Sequence, residues 1–451
     1  MKGRDGVTTP ICDYVKKYAE GQAVRLHMPG HKGESFLGLE KFDITEIEGA
    51  DVLYSPAGII AESQKNASAL FGTGKTLYST EGSSLCIRAM LRIATATAVK
   101  GERPWVLAAR NAHKAFLSAC ALLDADVEWM YPEKRESILS CKVTAEDVER
   151  GINSREQKPC AVYLTSPDYL GNVCDIKEIA DACHKFGVPL LVDNAHGAYL
   201  GFLEESRHPI ALGADMCCDS AHKTLPVLTG GAYLHISKNA PAHFCDGAEQ
   251  SMELFASTSP SYLILQSLDK ANAYICDGYK ERLAALISKT DKLKKALADK
   301  GITFMGDEPL KLTIAPKSYG YTGAEFAKTL LKHDIVCEFS DPDFCVMMLT
   351  PEIKDEDFDR LEIVLLGIER KTPIAEVTPT PSVAICAISI REAMLALSEE
   401  IDVEKSAGRI LASPCVSCPP AVPILVCGEK IDRAAIECFG YYGITKIRVV
   451  K

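Results

Sequence analysis

The sequence predicts an α/β protein in three parts: a large domain on a mostly parallel sheet, a small α/β domain and a C-terminal α+β module. Three observations predict it. Between residues 76 and 236 short apolar runs alternate with amphipathic stretches, the pattern of parallel strands covered by helices. Residues 301 to 370 repeat that alternation on a smaller scale. Pro373, Pro379 and Pro381 then interrupt the chain, since proline neither continues a helix nor donates to a sheet ladder, and a further module follows. The expected divisions are an N-terminal segment 1–75, a large domain 76–270, a small domain 271–370, a linker 371–384 and a C-terminal domain 385–451.

Within the large domain the expected strands are Trp105 to Ala109, Ala161 to Thr165, Pro189 to Asp193, Ala214 to Cys218 and Gly231 to Ile236. Helices fall between them: Ser83 to Val99, Lys114 to Leu123 and Ile176 to Phe186, the last closed by Gly187 as a C-cap. One long helical pattern runs from Tyr262 to Lys300, with Asp291-Lys292-Leu293-Lys294-Lys295 as a solvated face. In the small domain the clearest elements are a strand, Cys345 to Leu349, and a helix, Asp355 to Arg370. The C-terminal module offers a helix, Ser389 to Leu397, and a short apolar strand running to Val426.

Length and composition bound the function. At 451 residues, 47% hydrophobic and 25% charged, the chain reads as a globular protein of two or three domains. No apolar stretch approaches the length of a membrane span, and Met1 to Gly6 lead into no apolar signal region, so a cytoplasmic protein is expected. A net charge of −11 without basic patches excludes nucleic acid as an expected partner. The 18 cysteines fall largely in apolar runs such as Met216-Cys217-Cys218 and Phe344-Cys345-Val346, and are read as reduced. Cys415 and Cys418 have zinc-like spacing, but no second pair and no histidine follow them, so no metal site is expected.

The chemistry centres on Lys223, in Cys218-Asp219-Ser220-Ala221-His222-Lys223-Thr224, just after an apolar run. Upstream, the run Val188 to Val192 ends in Asp193-Asn194-Ala195-His196-Gly197. A lysine at one strand end and a carboxylate at the other suit pyridoxal phosphate (PLP), which needs an amine for its aldehyde carbon and an anion for its ring nitrogen. A phosphate cup is expected at Thr80-Glu81-Gly82-Ser83-Ser84, where a helix N-terminus offers free amides, with the Ser220 hydroxyl added. His113, after the Trp105 strand, is the candidate to stack on the ring, although a histidine there also reads as a helix cap.

Two other motifs are set aside. Gly72-Thr73-Gly74-Lys75-Thr76 ends like a P-loop, but Ala69 stands where the pattern needs glycine, and Thr76-Leu77-Tyr78 reads as a strand start. His27 and His31 have the spacing of two metal ligands on a helix, but Pro29 and Gly30 break that helix, which leaves an active-site loop as the better reading.

Taken together, these residues resemble the ornithine/lysine/arginine decarboxylase family of fold-type-I, aspartate aminotransferase-like PLP enzymes, in its compact form without an N-terminal wing domain. The resemblance rests on His27-Met28-Pro29-Gly30-His31-Lys32-Gly33, Asp43-Ile44-Thr45-Glu46-Ile47, Arg110-Asn111-Ala112-His113-Lys114 and the Asp193 and Lys223 motifs. It continues through Ser257-Thr258-Ser259-Pro260-Ser261-Tyr262, Pro419-Pro420-Ala421-Val422-Pro423 and Gly428-Glu429. It implies that Lys223 carries PLP, Asp193 pairs with the ring nitrogen and His113 stacks on the ring. Gly82, Ser83, Ser84, Ala195, His196, Ser220 and His222 would surround the cofactor. Thr258 and Ser259 would reach the phosphate of a neighbouring protomer, making a homodimer or higher oligomer, to which residues 1–75 contribute. Glu429, His31 and Glu338 are implied at the substrate, with Asp341 a weaker choice. The chain departs from the family at Glu81, where a neutral residue is usual, at Asp168, where threonine is common, and at Cys418, where tyrosine is common.

The expected function is therefore decarboxylation of arginine or lysine, or else ornithine, to a polyamine-type amine and CO₂. An aminotransferase or lyase on the same scaffold is the alternative enzyme, although no carboxylate-clamping arginine stands out between Gly301 and Thr350. A non-catalytic paralogue is the alternative outside enzymology.

Overall fold

The computed structural model describes residues 7–98, 101–132, 137–414 and 421–451. Cys415 and Cys418 lie outside the described residues. The large sheet has seven strands: β1 (Lys75–Ser79), β2 (Trp105–Ala109), β3 (Asp126–Met130), β4 (Ala161–Thr165), β5 (Leu190–Asp193), β6 (Met216–Asp219) and β7 (Ala232–Ile236). Their order is β1-β7-β6-β5-β4-β2-β3. β2 runs parallel to β3 and β4, and β5 parallel to β6, while β7 is antiparallel to both β1 and β6. This is the mostly parallel α/β sheet that the alternating sequence predicts. β2 and β7 are buried at every position, which is why β2 reads as an unbroken apolar run and β7 as one interrupted only by His235, rather than as alternating strands.

The chain divides into two compact units, the first being Met1–Thr97 with Ile176–Leu283. It holds β1, β5, β6 and β7 and the helices Gly82–Thr95, Ile176–Lys185 and Tyr262–Cys276. The segment set aside as a P-loop lookalike is, as expected, the start of a strand: Gly72 caps the Ile59–Phe71 helix, and β1 begins at Lys75. The long helix expected from Tyr262 to Lys300 is two helices, Tyr262–Cys276 and Tyr279–Asp299. Gly278 sits between them at φ +67°, a left-handed conformation that glycine adopts without steric penalty and that a continuous helix cannot contain.

The second unit is Ala98–Asp175 with Ala284–Lys451. Besides β2, β3 and β4 it contains an antiparallel sheet of β8 (Thr303–Met305), β9 (Lys311–Ala315), β10 (Phe339–Ser340) and β11 (Cys345–Met348), in the order β10-β11-β9-β8. β12 (Ser398–Asp402) and β13 (Lys446–Val450) form an antiparallel pair. Leu411, Ile424, Leu425, Ile431, Phe439, Ile447 and Val449 pack into one core with the Arg433–Tyr441 helix. The helix expected from Ser389 is shorter, Ile390–Leu395, with Ser389 as its N-cap in a capping box with Glu392. Residues 421–426 form no strand: the Val426 amide donates to Glu429 Oε2 at 2.6 Å, so it is turned from any ladder.

Every cysteine among the described residues is a free thiol. No helix among the described residues is long and apolar enough to cross a membrane.

The first unit buries one carboxylate whose titration is exposed to test. Asp269 accepts from Ser63 Oγ at 2.6 Å and from the Cys12 amide at 2.9 Å. Burial pushes it up from 3.8 to about 6 despite those bonds. The folded state thus holds this proton more tightly than the unfolded chain, so the group favours folding in acid, and the advantage fades as pH rises from about 4 through 6. Two pKa units correspond to roughly 3 kcal/mol. Asp269→Asn, uncharged throughout, is expected to flatten the stability profile by that order between pH 4 and 6 in urea unfolding; an unchanged profile would refute the assignment.

Candidate active site

β5 and β6 lie side by side with Asp193 opposite Cys218, so the chain leaves both strands at the same edge of the sheet. Ligands of open α/β sheets collect at the carboxyl ends of parallel strands, which is where these turns lie. After β5 the chain turns tightly, the Gly197 amide donating to the Asn194 carbonyl at 2.8 Å. That turn carries Ala195 and His196, both buried. After β6 it enters one helical turn, Ala221–Thr224. The two turns bring Lys223 Nζ to 3.0 Å from His196 Nε2. An amine and an imidazole at that separation can hand a proton either way.

Asp193 is 3% exposed. Its Oδ1 accepts from the Ala195 amide at 3.2 Å and from the Cys218 thiol at 3.6 Å. Burial, with Asp193 beside it, pushes the Cys218 thiol well above its ordinary range, so it remains a protonated donor. Asp193 is thus a buried carboxylate with a backbone amide and a thiol among its donors.

At the start of the Gly82–Thr95 helix the Gly82 amide donates to the Gly230 carbonyl at 2.7 Å. Ser220 Oγ donates to Ser83 Oγ at 2.8 Å, joining the helix start to the turn that carries Lys223. Ser84, next along, is half-buried. His222 Nδ1 donates to the Gly231 carbonyl at 2.9 Å. Glu81 points elsewhere: its Oε1 accepts from the Ser257 amide at 2.6 Å. Thr258 and Ser259 follow on the same loop and are exposed.

These groups fit PLP. Nothing lies within 4 Å of where a Cβ on Gly82 would sit, leaving room beside two hydroxyls and a helix N-terminus that favours an anion. A buried carboxylate suits a cationic ring nitrogen, and the amine of Lys223 suits an aldehyde.

The remaining expected residues divide between the units. In the first, His31 Nε2 lies 3.2 Å from Asp43 Oδ2 and Nδ1 accepts from the Gly33 amide, while His27 Nε2 meets Tyr18 Oη at 2.6 Å. In the second, His113 caps the Lys114–Leu123 helix, its Nδ1 accepting from the Ala115 amide at 3.0 Å. Glu429 is 3% exposed and its Oε2 pairs with Arg110 at 3.1 Å. Glu338 is exposed and accepts from Tyr169 Oη at 2.9 Å. Asp341 accepts from the Asp343 and Phe344 amides, and burial pushes it up to about 6. Asp168 is buried and staples its own loop, accepting from the Leu170 and Asn172 amides.

Sequence reasoning passes over Asp219, Asn194, His208, His235 and Arg110. Asp219 accepts from Asn194 Nδ2 at 2.7 Å and from the imidazoles of His208 and His235 at 3.0 and 3.2 Å. The available signal was an aspartate and a histidine in two otherwise apolar runs, since polar groups in buried strands need partners. Arg110 also donates to the carbonyls of Pro423 and Ile424, anchoring the segment before Glu429.

Comparisons with known proteins bear on the family and the fold. Residues 9–306 match the family described as Orn/Lys/Arg decarboxylase, major domain. An arginine decarboxylase of Bacillus subtilis is 30% identical over 95% of this chain and 92% of its own length. An arginine decarboxylase of Halalkalibacterium halodurans is 29% identical over 94% of this chain and 91% of its own. In fold, a Francisella novicida lysine decarboxylase superposes with a TM-score of 0.81 at 17% identity, over 99% of this chain and 81% of that one. The family match and the lysine, carboxylate and hydroxyls at the ends of β5 and β6 lead to one conclusion: the chain belongs to the Orn/Lys/Arg decarboxylase family and is a PLP-dependent amino acid decarboxylase of fold type I.

Proposed function

We propose that the protein removes the α-carboxylate of a basic amino acid, arginine before lysine or ornithine, releasing CO₂ and a polyamine-type amine. The observation that carries the reading is the Lys223–His196 pair at 3.0 Å, flanked by buried Asp193 and the Ser83–Ser220 hydroxyl pair. The preference for arginine is supported by relatives named for that activity that align over nearly the whole chain.

The chemistry PLP supplies when bound is an electron sink for the pair left on the substrate Cα as CO₂ departs. The protein does the rest. Lys223 would provide the amine that holds the cofactor's aldehyde carbon. His196, within hydrogen-bond reach of Nζ, accepts a proton from that amine or returns it, so that Lys223 can alternate between a nucleophile and a cation. Asp193 would hold the ring nitrogen, since a buried carboxylate favours a cation beside it. Ser83, Ser84, Ser220 and the amides opening the Gly82–Thr95 helix would hold the anionic end, with Gly82, Ala195 and His222 shaping the walls. On the family resemblance, His113 would be the side chain that stacks on the ring. One proton must reach Cα to replace the lost carboxylate.

The same reading makes the protein a cytoplasmic homodimer or larger oligomer, with Thr258 and Ser259 offered to the neighbouring phosphate. Glu429, His31 and Glu338 are the side chains assigned to the substrate's distal end.

Lys223→Ala is expected to abolish both the visible absorbance of the lysine-bound cofactor and CO₂ release, and a spectrum unchanged from wild type would remove the assignment. Asp193→Asn should lower kcat roughly a hundredfold, equivalent to about 3 kcal/mol, since a paired buried charge is lost. CO₂ release from arginine, lysine and ornithine by the PLP-loaded protein decides the substrate. Turnover confined to another amino acid, or none, would overturn the preference stated.

A further inference from the structure

The Asp219 carboxylate is completely buried yet receives three hydrogen bonds, and its placement explains more than its own satisfaction. It ends β6, one residue before Ser220 and four before Lys223. Its Oδ1 accepts from Asn194 Nδ2 at 2.7 Å, and Asn194 follows Asp193 and opens the turn bearing His196. The backbone pairs β5 with β6 as far as the Asn194 amide, which donates to the Cys218 carbonyl at 3.0 Å. Beyond that point the two chains turn away, and the Asn194–Asp219 bond spans them just where the ladder stops.

Asn194 has little freedom. A Cβ on Gly197 would come within 2.1 Å of Asn194 Oδ1, so the turn is closed down on the amide, and only glycine permits the approach. Asp219 is equally confined. Its Oδ2 takes Nε2 of His208 and of His235, and both imidazoles pack against Phe71, with ring centroids 5.5 and 4.5 Å away. His235 is further fixed by Thr76 Oγ1, 2.9 Å from its Nδ1. Against the effect of burial, the two imidazoles hold Asp219 well below the usual carboxylate range, so it is an anion at neutral pH.

We propose that Asp219 is a positioning residue for the cofactor lysine: its anion, clamped by His208 and His235, locks Asn194 and thereby holds the His196 turn and the Lys223 turn at their working separation. A slack tie would let Nζ and Nε2 drift beyond hydrogen-bond reach and loosen Asp193, the residue adjoining Asn194. The effect falls on cofactor capture and on the rate of the chemical steps, because the tie acts on the two turns that carry His196 and Lys223. The inference rests on Lys223 being the PLP lysine.

The test titrates PLP into cofactor-free wild type, Asp219→Asn and Asn194→Ala, following visible absorbance, with thermal midpoints of the cofactor-free proteins measured in parallel. A hydrogen bond to a charged group contributes on the order of 1.5–3 kcal/mol, which converts to roughly ten- to hundredfold weaker PLP binding in both variants. In the loaded variants kcat should fall by a similar factor, while KM changes by less than about twofold. Should Asp219→Asn fail to fold, Asn194→Ala decides, since it removes the tie and leaves the anion on its two imidazoles. Lower thermal midpoints with wild-type PLP affinity and kcat would make Asp219 merely structural and overturn the proposal. So would a stoichiometric metal in the purified protein that is lost on Cys217→Ser, since Cys217 Sγ lies 3.9 Å from His208 Nε2 and could join a ligand set. Failure of wild type to bind PLP at all would instead refute the functional reading on which the inference stands.

Discussion

A carboxylate withdrawn from water persists as an anion only where donors or cations meet it, and the first unit is arranged around two such groups on adjacent strands, Asp193 and Asp219. They end neighbouring parallel strands, so one register fixes both. Asp219 is satisfied from inside the protein, by Asn194, His208 and His235. Asp193 accepts from a backbone amide and a thiol on the strand and turn beside it. Asp219 ties the two turns together, and Asp193 is the carboxylate proposed for the cofactor. Both depend on the parallel pairing of β5 and β6, which sends the chain out at a single edge and allows Lys223 and His196 to meet although 27 residues separate them.

In the second unit a related constraint acts on the C-terminal module. Arg110, the residue after β2, reaches two carbonyls and the Glu429 carboxylate, three acceptors that the fork of a planar guanidinium serves together. The Lys114 amide adds a bond to the Ala421 carbonyl. The strand of the large sheet that leads to His113 is therefore tied to the segment following the proline cluster. Glu429, expected at the substrate on resemblance alone, already bonds Arg110 and the Val426 amide in this chain. Any part it plays toward a substrate cation is shared with Arg110, and the pair behaves as a unit.

How much of this was legible in the sequence follows from where each signal resides. β2 and β4 run over the expected residues because both are short, apolar and bounded by turn-forming residues. β3, Asp-Val-Glu-Trp-Met, escaped notice because it is an edge strand, half-buried at four of its five positions, and carries charge where a buried strand would not. The break at Gly278 was masked by helix-favouring residues on both sides, and the strand expected to reach Val426 was overridden by the Glu429 carboxylate capturing its amide. Lys223, Asp193 and the serines could be read because each adjoins a strand end. Asp219 could not, because its partners lie 11, 16 and 25 residues away and meet it only through strand register and the turns between.

Glu81 shows how a local departure can be harmless to the group it adjoins. On charge alone, an acid one residue from the helix start that would hold a phosphate opposes anion binding. The structure turns that carboxylate toward the Ser257 amide, so that it draws on a donor outside the cup rather than competing for the donors within it. The bond also fixes the start of the loop that continues through Thr258 and Ser259, whose own first turn is closed by the Ser259 amide on Ser257 Oγ. Exposure matters here as well. A charge at the protein surface is screened by water and salt, so its repulsion of an anion several ångströms away is far weaker than the same charge would exert if buried. A glutamate at this position is therefore compatible with a phosphate site, and its consequence lies in the ordering of the Ser257 to Ser259 loop rather than in the cup itself.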